Sequence, residues 1–177
     1  MRAEDPDSAL VARVLAFDDR RAFAELVRRH QSAIRTLLRR LCAGDLARAD
    51  DLAQETFLRA YRGLPSFRGQ ARLGSWLHRI AWNVFASEAR RPSPPEPPPP
   101  APRSGLERLE AAHDLERAFG LLREEERAAL ALAYGQELTH EEAAALLGWP
   151  LGTLKTHVAR GKERLRQILD PRRQVSP

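Results

Sequence analysis

The stretch LTHEEAAALLGWPLGTLKTHVAR, from Leu138 to Arg160, decides how this chain is read. Thr139 followed three residues later by Glu142 is a capping box, in which each side chain satisfies an orphan backbone N–H of the other residue. Leu138 can staple onto Ala143. A helix is therefore expected from His140 through Leu147, ended by Gly148, which tolerates the positive φ of a helix terminus. Pro150 opens a second helix, because proline at the first helical position gives up only a donor that has no partner there. Two helices joined by so short a turn read as a helix-turn-helix.

Along the second helix, Leu154, Val158, Gly161, Leu165 and Leu169 recur at helical spacing as an apolar stripe that faces the rest of its domain. Thr156 and Arg160 point the opposite way, with Lys155 and Arg166 on one flank and His157 on the other. A helix that offers Thr, Lys, His and Arg suits the major groove, where bases present hydrogen-bonding edges and phosphates attract cations. The competing reading is an amphipathic surface helix with a solvated charged face. Cap, turn and proline together favour the DNA reader.

The 177 residues allow one domain or two small ones, and 43% hydrophobic with 30% charged residues fits a soluble globular chain. No apolar run approaches the roughly 20 residues that cross a bilayer, and the acidic Glu4-Asp5-Pro6-Asp7 is unlike a signal peptide, so the expectation is a cytoplasmic protein without membrane insertion. Cys42 is the only cysteine, which rules out an internal disulfide and a C-x-x-C zinc site and reads as a small buried hydrophobe. The net charge of +5 is unevenly spread. Residues 1–91 carry 17 Lys or Arg against 11 Asp or Glu, 114–142 carry 3 against 8, and 143–177 carry 7 against 2. An acidic section just before a basic recognition helix would be repelled by DNA, so it is expected to face protein.

Upstream, Ser8 to Phe17 forms a short helix with Leu10, Val11, Val14 and Leu15 on one face. Asp18 or Asp19 caps a longer one running to about Cys42, with Phe23, Leu26, Val27, Ile34, Leu37, Leu38 and Leu41 inward and Gly44 at its end. A third helix holds Asp50 to Arg62, with Leu52, Phe57, Leu58 and Tyr61 able to bury and Asp51, Gln54 and Glu55 forming a polar patch. Acids in a first helical turn are explained by the helix dipole, and no His lies nearby, so this patch does not point to catalysis. Gly63-Leu64-Pro65 breaks that helix, and the loop Ser66 to Ala71 leads into a fourth carrying Ser75 to Phe85, with Leu73, Leu77, Ile80, Ala81 and Val84 as its core side. Two Trp and two Phe lie in this loop and helix among Arg68, Arg72 and Arg79, as a single-strand binder requires: bases stack on rings while cations neutralise the backbone.

Residues 92–102 contain 8 of the 13 prolines. Such a run favours polyproline II and reads as a spacer of about 3.1 Å per residue. Beyond it Leu106, Leu109, Leu115, Phe119 and Leu122 predict one or two helices, Glu125 to Tyr134 another with Leu130 and Leu132 buried, and Arg172 to Pro177 a frayed tail. His30, His78, His113, His140 and His157 lack metal-site spacing, and no G-x-S-x-G or P-loop occurs, so no catalytic residue, metal or cofactor is expected. The fold class is all-α: a domain over 1–91, a Pro-rich linker over 92–105, and a second small helical domain over 106–177 that ends in the helix-turn-helix.

This order of parts resembles the extracytoplasmic-function (ECF) sigma factors, the minimal members of the bacterial sigma-70 family. Asp50 to Leu58 looks like the family's region 2.2, Phe67 to Ala71 with Trp76 to Asn83 like regions 2.3 and 2.4, and Glu141 to Thr156 like region 4.2. The resemblance implies a protein that binds core RNA polymerase and directs it to promoter DNA, duplex and melted strand, without ATP. By it, Asp50, Asp51, Gln54, Glu55 and Leu58 would meet the polymerase clamp helices. Phe67, Arg68, Gly69, Gln70 and Ala71, with Trp76, Arg79 and Asn83, would handle the −10 element, the loop capturing a flipped base. Lys155, Thr156, His157 and Arg160 would read the −35 element, and an anti-sigma factor would restrain the whole. Departures from the family pattern include Arg72 at a helix start, Trp82 before Asn83, Trp149 in a turn usually held by a smaller side chain, and His157 where Arg is frequent. The rival reading is a free-standing helix-turn-helix repressor or activator.

Overall fold

In the computed structural model, which describes residues 6–90, 107–134 and 138–169, eight α-helices and one 3₁₀ turn follow one another without a strand among the described residues. The Pro-rich run, Gly105, Leu106 and the tail from Arg172 lie outside the described residues. The helices are α1 (Ser8–Phe17), α2 (Arg20–Leu41), α3 (Leu46–Gly63), α4 (Leu73–Ala89), α5 (Glu107–Gly120), α6 (Glu124–Ala133), α7 (His140–Leu147) and α8 (Leu151–Leu169).

Local chemistry sets most of these boundaries. Asp18 adopts a left-handed φ of 49°, which stops α1, and the Asp19 carboxylate accepts from the Arg21 and Ala22 N–H groups to start α2. That carboxylate also takes Arg13 at 2.6 Å, and these donors hold its pKa below the ordinary value. Asp45 caps α3 through the Arg48 N–H, so the third helix begins four residues before Asp50. Pro65 shapes the 3₁₀ turn Leu64–Ser66. The start of α4 falls after Arg72, with no side-chain cap.

Helix α2 is the axis of the molecule. Its 22 residues extend about 33 Å, and it packs against α1, α3, α4, α5 and α6. Ile34 and Leu38 on it are completely buried. Burial of such side chains supplies about 1.5–3 kcal/mol each before conformational entropy is charged against it. Arg48 of α3 clamps Glu88 of α4 with two nitrogens and lies over the Phe85 ring, tying α4 into the first unit, α1 to α4. Cys42 is buried as expected, and desolvation pushes its thiol up to about 12.

The second unit is α5 to α8, with Leu130, Leu132 and Leu154 at its centre. Gly161 lets α8 approach α6 closely: a Cβ there would meet the Leu130 Cδ1 at 2.6 Å. The two units touch. Arg40 covers the Phe119 ring at 5.2 Å, and a Cβ at Gly120 would stand 3.1 Å from the Ala43 carbonyl. Three expectations about burial do not hold. Leu15 is 47% exposed, Leu58, beside a cavity between α2 and α3, 53%, and Leu169 42%.

Candidate nucleic-acid and polymerase interfaces

The helix-turn-helix forms as its local signals require. Thr139 Oγ1 accepts from the Glu142 N–H at 3.1 Å, and the Glu142 carboxylate accepts from the Thr139 N–H at 2.9 Å. Gly148 takes φ 70°, and the Trp149 N–H donates to the Ala144 carbonyl at 2.9 Å, which ties off the end of α7. Leu154, Val158 and Gly161 of α8 are buried against the domain, so Lys155, Thr156 and Arg160 are exposed on the far side. His157 is half-buried, with Trp149 beside it at a ring-centroid distance of 5.1 Å. The Thr156 hydroxyl donates to the Gly152 carbonyl at 2.9 Å. It can therefore offer a partner only lone pairs and its methyl group.

The patch on α3 is also exposed. Asp51, Gln54 and Leu58 face solvent, while Glu55 is half-buried and paired with Arg59 at 2.6 Å. Asp50 lies 3.3 Å from Arg35 of α2. Beside these side chains a cavity of about 520 Å³ opens between α2 and α3, lined by Phe23, Val27, Phe57, Leu58 and Tyr61 with Arg20 and Arg35 among its cations. Phe23 meets Tyr61 edge-on at 4.8 Å, and the Tyr61 hydroxyl donates to Asp18, whose carboxylate raises the phenol's pKa. The cavity thus has an apolar floor with the exposed Leu58 among its walls.

In the loop between α3 and α4, Ser66 is held by the Gly63 carbonyl and Phe67 by that of Leu64. Gly69 takes φ 66° with open space around it, and Arg68, Gly69 and Gln70 are exposed while Ala71 is half-buried. Phe67 packs on Trp76 at 5.2 Å, with Trp76 also against Gly63. Both rings are half-buried, so each serves the loop's shape and still presents an edge. Arg79 and Asn83 are exposed one turn apart on α4. Trp82 pairs with Phe85 at 5.8 Å.

Residues 26–93 match the family Sigma-70 region 2, and residues 112–165 match Sigma-70, region 4. The ECF RNA polymerase sigma factor SigM of Mycobacterium tuberculosis is 37% identical over 95% of this chain and 87% of its own. The chain belongs to the ECF sigma factors. The RNA polymerase sigma-H factor of Pseudomonas aeruginosa is 32% identical over 97% of both chains. Among solved structures, the sigma factor RpoE in complex with the anti-sigma factor NepR from Bartonella quintana superposes with a TM-score of 0.65 at 26% identity, over 84% of this chain and 97% of that one. CnrH in complex with the cytosolic domain of CnrY shares the fold, with a TM-score of 0.66 at 24% identity over 93% and 97%.

In this sigma factor two features escape sequence reading. His78 is completely buried, its Nδ1 2.8 Å from the Gly74 carbonyl, although its neighbour Arg79 is exposed; only the helical register of Leu77 and Ala81 could have placed it inward. Three acids of the second unit turn onto the chain's own arginines: Glu116 lies 3.9 Å from Arg39, Glu126 3.6 Å from Arg164, and Glu142 3.5 Å from Arg79. Glu116 and Glu142 thus meet arginines of the chain's own first domain. Among the described residues no helix is long and apolar enough to cross a membrane, and no cluster of His, Cys, Asp and Glu is arranged to hold a metal ion.

Proposed function

We propose that this sigma factor, a cytoplasmic protein without catalytic residues of its own, docks on the clamp helices of core polymerase through Asp50, Asp51, Gln54, Glu55 and Leu58. It then reads the −10 element with the loop Phe67 to Ala71, Trp76, Arg79 and Asn83, and the −35 element with Lys155, Thr156, His157 and Arg160. The observation that carries the reading is the exposed Leu58, with Gln54, lining an apolar cavity: an apolar side chain so placed gains by burial in a protein partner. A free-standing repressor leaves this surface without use.

Strand capture follows from the loop's construction. Arg68 and Arg79 supply charge against phosphates, and the Phe67–Trp76 pair supplies a ring surface at which an unstacked base regains part of its stacking energy. Binding polymerase fixes where this surface meets the duplex, so the cost of unstacking, a few kcal/mol per base, is met by contacts on both proteins. Anti-sigma restraint is supported by the similar RpoE of Bartonella quintana, solved in complex with the anti-sigma factor NepR.

The test is a pull-down titration of core polymerase with the full chain and the variant Asp51→Ala/Gln54→Ala/Glu55→Ala. Weakened binding with unchanged thermal melting is the expected result. Equal affinity would overturn the assignment of this face.

A further inference from the structure

We propose that Trp149 is a positioning residue for His157, and that the two rings act as one unit in reading the −35 duplex. The inference rests on the reading of α8 as the −35 helix and adds to it a side chain in the turn.

Trp149 is fixed at both ends. Its backbone N–H is bonded to Ala144, and its indole is half-buried against the core of the second domain. The imidazole of His157 lies against it, with centroids 5.1 Å apart and planes inclined by 43°. Lys155 and Arg160 on the same helix are exposed, and as long side chains they keep many rotamers until DNA orders them. An imidazole held on one side by an anchored ring has lost that freedom already. It presents its outer edge in one direction, where a ring nitrogen can meet a single base edge or phosphate. The geometry therefore assigns His157 a narrow, preorganised contact, with Trp149 as the element that fixes it.

The experiment uses full-length sigma factor with core polymerase and a promoter library randomised across the −35 element, comparing base preference for each variant. Trp149→Leu keeps an apolar filler in the turn but removes the ring face. It and His157→Ala are expected to lose the same preference at the same position, each by on the order of five- to tenfold. The double variant loses no more than either single one, because the rings act as a unit. Trp149→Phe, which keeps a ring, retains the preference. An unchanged profile for Trp149→Leu, an even loss of affinity across all sequences, or losses that multiply in the double variant would each overturn the proposal. Should Trp149→Leu fail to fold, His157→Ala decides alone, since an unchanged profile there removes the contact that Trp149 is said to position. Lys155→Ala and Arg160→Ala separate the two levels. If they shift base preference while the Trp149 and His157 variants do not, only this inference falls; if none of the four shifts it, the −35 reading of α8 falls.

Discussion

Leu58 is the residue at which pattern and structure part most usefully. Helical periodicity groups it with Phe57 and Tyr61 as core, yet it is 53% exposed because α2 leaves a cavity where a neighbouring helix would pack. Periodicity reports which face of a helix is apolar and not whether the chain itself covers that face. Replacing Leu58 with Glu should leave the melting temperature nearly unchanged and weaken core polymerase binding by about tenfold or more, the effect of losing one buried leucine; titration against polymerase measures it. Cys42 makes the opposite case, since its burial was legible from composition alone. Its thiol, held near 12, should resist alkylation at neutral pH in the folded protein and react once denaturant opens the core. Glu25 carries a pH signature. Hydrogen bonds from Arg28 and Arg29 lower its pKa from 4.5 to about 2, so what it contributes to stability is complete above pH 4.5 and lost as the pH falls towards 2. Glu25→Gln should flatten the fall in melting temperature across that window.

At the scale of elements, the sequence was most readable where a boundary depends on near neighbours. The Thr139–Glu142 box, the Gly148 terminus and the Asp19 cap each involve residues within five positions, so their chemistry is written locally. Thr139→Ala should cost about 1 kcal/mol in thermal unfolding. What was not legible is the contact between elements distant in sequence. Gly161 reads as one position in an apolar stripe, and only the packed structure reveals that it admits Leu130 of α6. Gly161→Val should destabilise the protein by about 1–3 kcal/mol through overpacking. Because the displaced helix is the proposed reader, the same variant should lose −35 duplex affinity in a binding titration.

In the whole molecule, the order of parts and the linker are legible from composition and motifs, whereas their mutual placement is not. Arg79, on the proposed −10 surface, is paired with Glu142 at the start of the helix-turn-helix. In the proposed assignment these two surfaces read separate promoter elements, so the halves are expected to part when polymerase and promoter engage them. The contacts holding them combine the packing of α2 on α5 and α6 with the Arg79–Glu142 and Arg39–Glu116 pairs, and the ion pairs themselves contribute little, about 0–1 kcal/mol each. Energy transfer between dyes on α4 and α8 should be high in the free protein and fall on promoter binding with polymerase. Composition could not disclose this closure, because each arginine and glutamate involved also reads as an ordinary solvated surface charge.

This sigma factor gives core polymerase its promoter, and transcription in vitro with purified core polymerase on genomic fragments tests that directly. Discrete starts that require the protein and disappear with the Asp51→Ala/Gln54→Ala/Glu55→Ala variant are the expected result. No protein-dependent start on any fragment, together with tight binding of duplex DNA by the chain alone at symmetric half-sites, would contradict it and return the helix-turn-helix to a free-standing regulator.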